Sequence, residues 1–263
     1  MVRHGLRFVA LVYLAFLLIL PVGMVFLRTF EHGLAPVWDA LSQPNAVHAL
    51  QLTAIVAAAS VVGNTVFGVG LALLLVRHQF PGNRLLNAFV DLPLAVSPVV
   101  VGLALILVYG TNTAVGGWLT DHGLPIIFAT PGMVMATIFV SLPLVVRAVA
   151  PVLEEIGTEQ EQAAWTLGAS ARQTFRRVTL PAIRWALALG SVLTLARGLG
   201  EYGAVAVVSG RLVGETQTAT LFVEERFQGF DQTAAYSMAF ALAATAVVVL
   251  LATNLLRPSE EAG

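Results

Sequence analysis

Three ionisable side chains, Asp91, Arg197 and Glu201, stand inside long apolar runs. An ionised group at lipid depth costs about 2.5–3.5 kcal/mol on insertion scales, so such groups face a protein interior and take partners. Arg197 and Glu201 are four residues apart, the spacing at which helical side chains meet, and can neutralise each other while holding neighbouring helices in register. The planar guanidinium also suits an oxyanion, which makes Arg197 and Glu201 candidates for a translocation path or gate, with Ser97 as a pathway hydroxyl. Asp91 would repel an anion there and is expected to pair with Arg84 or Arg147. The remaining chemistry is sparse. There is no cysteine, and the five histidines, His4, His32, His48, His78 and His122, are scattered without metal-ligand spacing. No catalytic constellation and no GxxxxGK[ST] phosphate loop is present, so the chain is read as neither an enzyme nor an ATP-hydrolysing protein.

A polar insert from Thr158 to Pro181 has the second set of informative residues. Thr158 and Glu161 have the spacing of a capping box, which satisfies the free N–H groups opening a helix. Ala163, Ala164 and Leu167 follow at helical spacing, and Gly168 supplies a stop. Ser170 and Gln173 repeat the cap. A second short helix is expected from about Ala171, carrying Arg172, Arg176 and Arg177 and yielding at Leu180 and Pro181 to a new helix. Glutamates at the first start and arginines at the second end agree with the helix macrodipole.

The elements that must position these groups are membrane helices. Of the 263 residues 57% are hydrophobic and 11% charged, a balance that a water-soluble domain could not spread over its surface. Phe8 to Leu27 is an uncharged stretch of 20 residues, about 30 Å as a helix, which matches a bilayer core. It is too long for a signal-peptide core and has no Ala-x-Ala site after it. Leu52 to Val76, Ile126 to Val146 and Thr233 to Leu256 are equally free of charge. Leu85 to Tyr109 is interrupted only by Asp91, and Pro93 and Pro98 predict a kink in it. A last span starts near Pro181 and holds Arg184, Arg197 and Glu201. Gly198, Gly200 and Gly203 crowd its far end, where they serve close packing or a bend. Six spans result. With a cytoplasmic N-terminus, ten arginines lie inside (3, 7, 77, 84, 147, 172, 176, 177, 184 and 257) against Arg28, Arg211 and Arg226 outside, with no lysine in the chain. That orientation puts both termini and the insert in the cytoplasm.

Gln162, Ala163, Ala164, Gly168, Val178, Leu180 and Pro181 have the spacing of Glu-Ala-Ala, three residues, Gly, nine residues, an aliphatic, one residue, Leu-Pro. This resembles the EAA loop of type I ABC importer permeases, with Gln162 where the family usually has Glu. The resemblance implies that the loop is a coupling helix seated in a groove of a separate ATPase, through Glu161, Gln162, Ala163, Ala164, Leu167 and Gly168. The stretches DLPLAVSPVVVG from Asp91, ARGLGEYGAVAVVSG from Ala196 and GETQTATLFVEERFQGFD from Gly214 are similar to the sulfate/thiosulfate importer permeases, W-type more than T-type. The implied fold is an all-α membrane protein of six transmembrane helices with the coupling helix between the fourth and fifth. The implied partners are a T-type sister permease, two copies of a cytoplasmic ABC ATPase using ATP and Mg, an extracytoplasmic sulfate-binding protein and membrane lipid. No cofactor bound by the chain itself and no nucleic acid is implied.

The expected organisation is an N-terminal helix and external segment over 1–51, a transmembrane core over 52–256 with the insert at 154–181, and a cytoplasmic tail over 257–263. Molybdate/tungstate permeases share the loop and remain an alternative. An ATP-independent secondary anion transporter is the alternative of a different class. It would leave the insert without a role and would be expected to show an internal inverted repeat, which is not evident.

Overall fold

The computed structural model describes residue 7 and residues 11–256. Arg3, His4, Arg257, the expected start of the first span at Phe8 and the tail over 257–263 lie outside the described residues. All regular structure among the described residues is helical. In chain order the helices are α1 (Leu11–Phe30), α2 (Leu34–Ser42), α3 (Pro44–Arg77), α4 (Asn83–Ala95), α5 (Pro98–Tyr109), α6 (Ala114–Asp121), α7 (Thr130–Ile156), α8 (Glu159–Thr166), α9 (Ala171–Leu199), α10 (Gly203–Val208), α11 (Ala219–Gln228) and α12 (Gln232–Leu256). Five of them, α1, α3, α7, α9 and α12, are each long and apolar enough to cross a bilayer, and α4 with α5 makes a sixth, broken span.

That broken span is the first departure from the sequence reading. Instead of one kinked helix, α4 and α5 meet at 114°. The cause is local. Ser97 precedes Pro98, and the proline ring bars the preceding residue from helical dihedrals; Ser97 takes ψ 134° and Val96 ψ 137°. Two extended residues in succession turn the chain, and Pro98 restarts it as the first residue of α5, where its missing N–H costs nothing.

The bundle is built on α3, α7 and α9, which pack against one another along most of their length. One buried apolar cluster joins Val69, Ala72, Val145, Val149, Leu153 and Ile183 near the insert, and another joins Leu52, Val56, Met133, Ala136, Val140 and Val205 toward the opposite end. Close approach is set by small residues. A Cβ on Gly68 would stand 2.8 Å from Val145, and one on Gly190 would stand 2.9 Å from the Val145 backbone. The buried hydroxyls of Thr53, Ser60, Thr137, Ser141 and Thr194 donate to carbonyls four residues earlier, so they enter the apolar interface without an unmet donor. Asn64 Nδ2 donates to Ser141 Oγ across α3 and α7 at 2.7 Å, and Thr65 meets Ser191 across α3 and α9 at 3.1 Å.

α1 lies at the edge. It touches α12 through Phe26, Phe30 and Phe240, whose rings meet at 4.9–5.8 Å, and through Thr29 Oγ1, which donates to Tyr236 O. α3 starts at Pro44, eight residues before the expected Leu52, and runs without a break across the expected boundary between 51 and 52. The segment between α1 and α3 is therefore mostly helical.

Candidate functional site

α8 and the first turns of α9 form an arm beyond the end of the bundle. The arm's stop and restart follow the sequence closely. Gly168 adopts φ +87°, the left-handed geometry that ends a helix, and Ala169 N–H returns to Ala164 O at 3.0 Å. Ser170 then forms a full capping box, accepting from Gln173 N–H while Gln173 Oε1 accepts from Ser170 N–H at 2.8 Å.

Two expectations for the arm need correcting. The capping box of Thr158 with Glu161 does not form. Thr158 occupies the N-cap position without capping a backbone N–H, and its hydroxyl accepts instead from Gln162 Nε2 at 2.9 Å. Glu161 is drawn away because a buried guanidinium needs a counter-charge. Arg77 Nε, at the end of α3, stands 3.2 Å from Glu161 Oε2, and both side chains are only 10% exposed. The other correction concerns the second helix, which does not yield at Leu180 and Pro181. It continues into the membrane span through one wide turn at Phe175–Thr179, where Leu180 N–H reaches back five residues to Phe175 O. The wider turn accommodates a proline that cannot donate inside a helix.

Glu161 is thus turned into the bundle, and it is the one buried residue of α8. Its Oε1 also accepts from Thr179 Oγ1 at 2.8 Å. Gln162, Ala163, Leu167 and Gly168 are exposed and Ala164 is half-buried. Trp165 and Leu167, 53% and 88% exposed, present bare apolar surface at the tip. The sequence did not single out Arg77 and Thr179 as partners of Glu161. Arg77 and Glu161 are 84 residues apart, and nothing local links them.

The second candidate region gathers the expected path residues. Arg197 Nη1 stands 2.7 Å from Glu201 Oε2, as the four-residue spacing predicts. The helix, however, ends at Leu199, so Glu201 lies in the break between α9 and α10 rather than within the span. There it caps α10, with Oε1 accepting from Ala204 N–H at 3.0 Å, and its backbone oxygen accepts from Thr220 Oγ1 at 2.9 Å. The Glu201 side chain is 2% exposed and that of Arg197 39%, so the guanidinium has its carboxylate on one side and open space on the other. The three glycines separate by role. Gly198 sits against Ala57 and Thr137, Gly203 sits against Pro98, and Gly200 ends the helix, where a Cβ would meet only Ala196 O, at 4.0 Å. The contact of Gly203 with Pro98 brings the break at Ser97 beside the break at Glu201. Ser97 is exposed there and makes no capping bond.

Asp91 pairs with Arg147 and not Arg84. The contact is two-pronged, Nε to Oδ1 at 2.8 Å and Nη2 to Oδ2 at 2.5 Å, and Nη2 also reaches Asn87 Oδ1 at 2.9 Å. Arg28, Arg211 and Arg226, on the side opposite the arm, are each paired with a carboxylate: Glu31, Glu224 and Asp231. Among the described residues no group of three or more His, Cys, Asp or Glu side chains could hold a metal ion.

Comparison with known proteins assigns this arrangement. Residues 64–260 match the family described as binding-protein-dependent transport system inner membrane component. The chain is 49% identical over 255 residues to the sulfate transport system permease protein CysW of a Synechocystis strain, covering 97% of this chain and 92% of that protein. It is 46% identical to CysW of Escherichia coli K12, covering 92% and 84%. It is 36% identical to the sulfate transport system permease protein CysT of Salmonella typhimurium, covering 94% and 90%. Among solved structures, a chain of a bacterial alginate ABC transporter in complex with an alginate-bound periplasmic protein superposes with a TM-score of 0.80 at 17% identity, covering 97% and 93%; at that identity it establishes the fold alone. With five apolar spans and a sixth broken one, matched over three quarters of its length, this multi-pass membrane protein belongs to the family of binding-protein-dependent transport system inner membrane components.

Proposed function

We propose that the chain is the W-type permease subunit of an ATP-driven sulfate/thiosulfate importer in the bacterial inner membrane. The observation that carries the reading is the 49% identity to a CysW permease over nearly the whole chain. The weaker kinship to CysT supports a T-type sister permease as the other half of the path. The remaining partners are two copies of a cytoplasmic ATPase, which supply ATP and Mg chemistry, and an extracytoplasmic sulfate-binding protein. This subunit is non-catalytic.

In this reading α8 is the coupling helix. Its exposed Ala163 and Trp165, with Leu167 just after its end, offer a small-residue face and two apolar prongs to a groove, the mode by which a short helix is held by a partner. Both termini and the arm are cytoplasmic. The arginine count supports this. Closure of the ATPase pair draws the two coupling helices together and opens the cavity outward to receive sulfate; hydrolysis and release return it inward. Ser97 and Arg197, at the paired helix breaks, lie on the path, with Glu201 holding the guanidinium in place.

The test is uptake of labelled sulfate by a strain lacking its own sulfate permeases and supplied with this chain, its sister, the ATPase and the binding protein. Sulfate uptake competed by thiosulfate supports the assignment. Uptake of molybdate in preference to sulfate overturns the substrate, and uptake without the ATPase overturns the class.

A further inference from the structure

The arm has almost no core of its own. Of the eight residues of α8 only Glu161 is buried, and it is a charged one. The link from α7 to α8 is two residues long, and Gly157 within it takes φ +60° with open space around it, so the link does not fix the arm's direction. Fixing falls to Arg77. One guanidinium donates from Nη1 to Leu153 O at 2.9 Å and from Nη2 to Gly157 O at 2.6 Å, and reaches Glu161 Oε1 at 3.4 Å and Oε2 at 3.2 Å. Two of these acceptors lie at the end of α7, where carbonyls lack helical partners. Thr179, in the wide turn of α9, completes the set through Glu161 Oε1. Four elements, α3, α7, α8 and α9, therefore meet at one buried ion pair.

We infer that Arg77 is a positioning residue of the transport cycle, fixing the arm to the three central helices so that its displacement becomes theirs. The inference rests on the importer reading for its transport consequence, and on geometry alone for the joint itself. An apolar contact of the same size would resist separation but tolerate sliding. A planar fork with three acceptors, Leu153 O, Gly157 O and Glu161 Oε1, and its charge beside the carboxylate resists rotation as well, so the orientation of α8 is specified. The central helices are in turn locked to one another by the close contacts at Gly68 and Gly190 and by the Asn64–Ser141 and Thr65–Ser191 bonds. Movement applied at the exposed tip of α8 then reaches α3, α7 and α9 together instead of being lost in a bend at Gly157.

Two readouts on the full complex in proteoliposomes test this. The first is sulfate taken up per ATP hydrolysed. With Arg77→Ala the ATPase is expected to remain bound and active while this ratio falls by about tenfold or more, because the partner carboxylate is left buried and unpaired. Thr179→Val, which removes one hydroxyl at nearly constant shape, is expected to lower it by about two- to tenfold. Arg77→Lys, which keeps the charge without the fork, should fall between wild type and Arg77→Ala. The second readout is the distance between nitroxide labels on Gln160→Cys, exposed on α8 and outside the coupling set, and Val66→Cys, feasible because the chain has no cysteine of its own. A narrow distribution in the wild-type background that broadens with Arg77→Ala supports the joint, whatever the transported anion. A wild-type ratio and an unbroadened distribution in Arg77→Ala overturn it. If that variant does not assemble, the same wild-type values in Thr179→Val overturn it instead. Absence of sulfate uptake by the wild-type complex, with the label distances behaving as expected, counts against the importer reading and not against the joint.

Discussion

Gly168→Ala isolates the geometry of the arm from every other variable. Gly168 takes φ +87°, and a Cβ built on it meets nothing within 4 Å. The substitution therefore adds no clash within the chain, where its effect is the backbone conformation. Placing an L residue in the left-handed region costs about 1–2 kcal/mol. For the bundle such a cost is small, but α8 is a helix of eight residues with a single buried side chain, and helices this short are marginal without tertiary support. A loss of that size shifts the ordered arm against its alternatives by about 5–30-fold. The chain should reach the membrane at its normal level and keep its thermal unfolding in detergent, while the amount of ATPase recovered with it falls by about that factor. Gly168→Asn should recover most of the loss, because asparagine enters the left-handed region more readily. Gly70→Ala, in α3 with open space and an ordinary φ, serves as the silent control. Full ATPase recovery by Gly168→Ala would refute the claim that the turn at this glycine presents the coupling surface.

Arg197→Ala leaves the Glu201 carboxylate, 2% exposed, without its counter-charge, a loss of about 3–5 kcal/mol that should reduce the protein found in the membrane. Arg197→Ala with Glu201→Gln should restore the level, and sulfate uptake by that double variant then reads the role of the arginine: restored uptake shows a purely structural pair. Gly68→Val drives a side chain against Val145, 2.8 Å from where the first added atom stands, and should lower stability by about 1–3 kcal/mol in a thermal unfolding measurement. Asp91→Asn breaks a two-pronged but largely exposed pair, so the expected loss is about 1 kcal/mol or less, with membrane level unchanged. Ser170→Ala removes one half of the only capping box formed on the arm and should cost about 1 kcal/mol of local order, seen as faster amide exchange around Ala171–Thr174.

Local rules were legible wherever the chain answers to its immediate neighbours. Ser170 with Gln173 capped a helix, Gly168 ended one, and uncharged runs made the spans, because capping, left-handed geometry and hydrophobic length act within a few residues. The pairing of Arg197 with Glu201 was readable for the same reason. The third span was half legible: Pro93 and Pro98 announced a disturbance, but that Val96 as well as Ser97 takes extended backbone, turning a kink into a 114° break, was not written in the spacing of the prolines. The wide turn before Pro181 was invisible as a continuation, since a proline after a polar segment equally suits a new helix.

The sequence by itself determined that this is a membrane protein of six spans with a polar arm whose second helix is capped at Ser170, because hydropathy and end-capping are properties of contiguous residues. Only the tertiary structure decided where Glu161 points. The sequence offered that carboxylate a backbone cap three residues away, and the fold gave it Arg77 and Thr179. A buried guanidinium without a carboxylate is costlier than an exposed backbone N–H that water can satisfy, so the long-range partner prevailed over the local one.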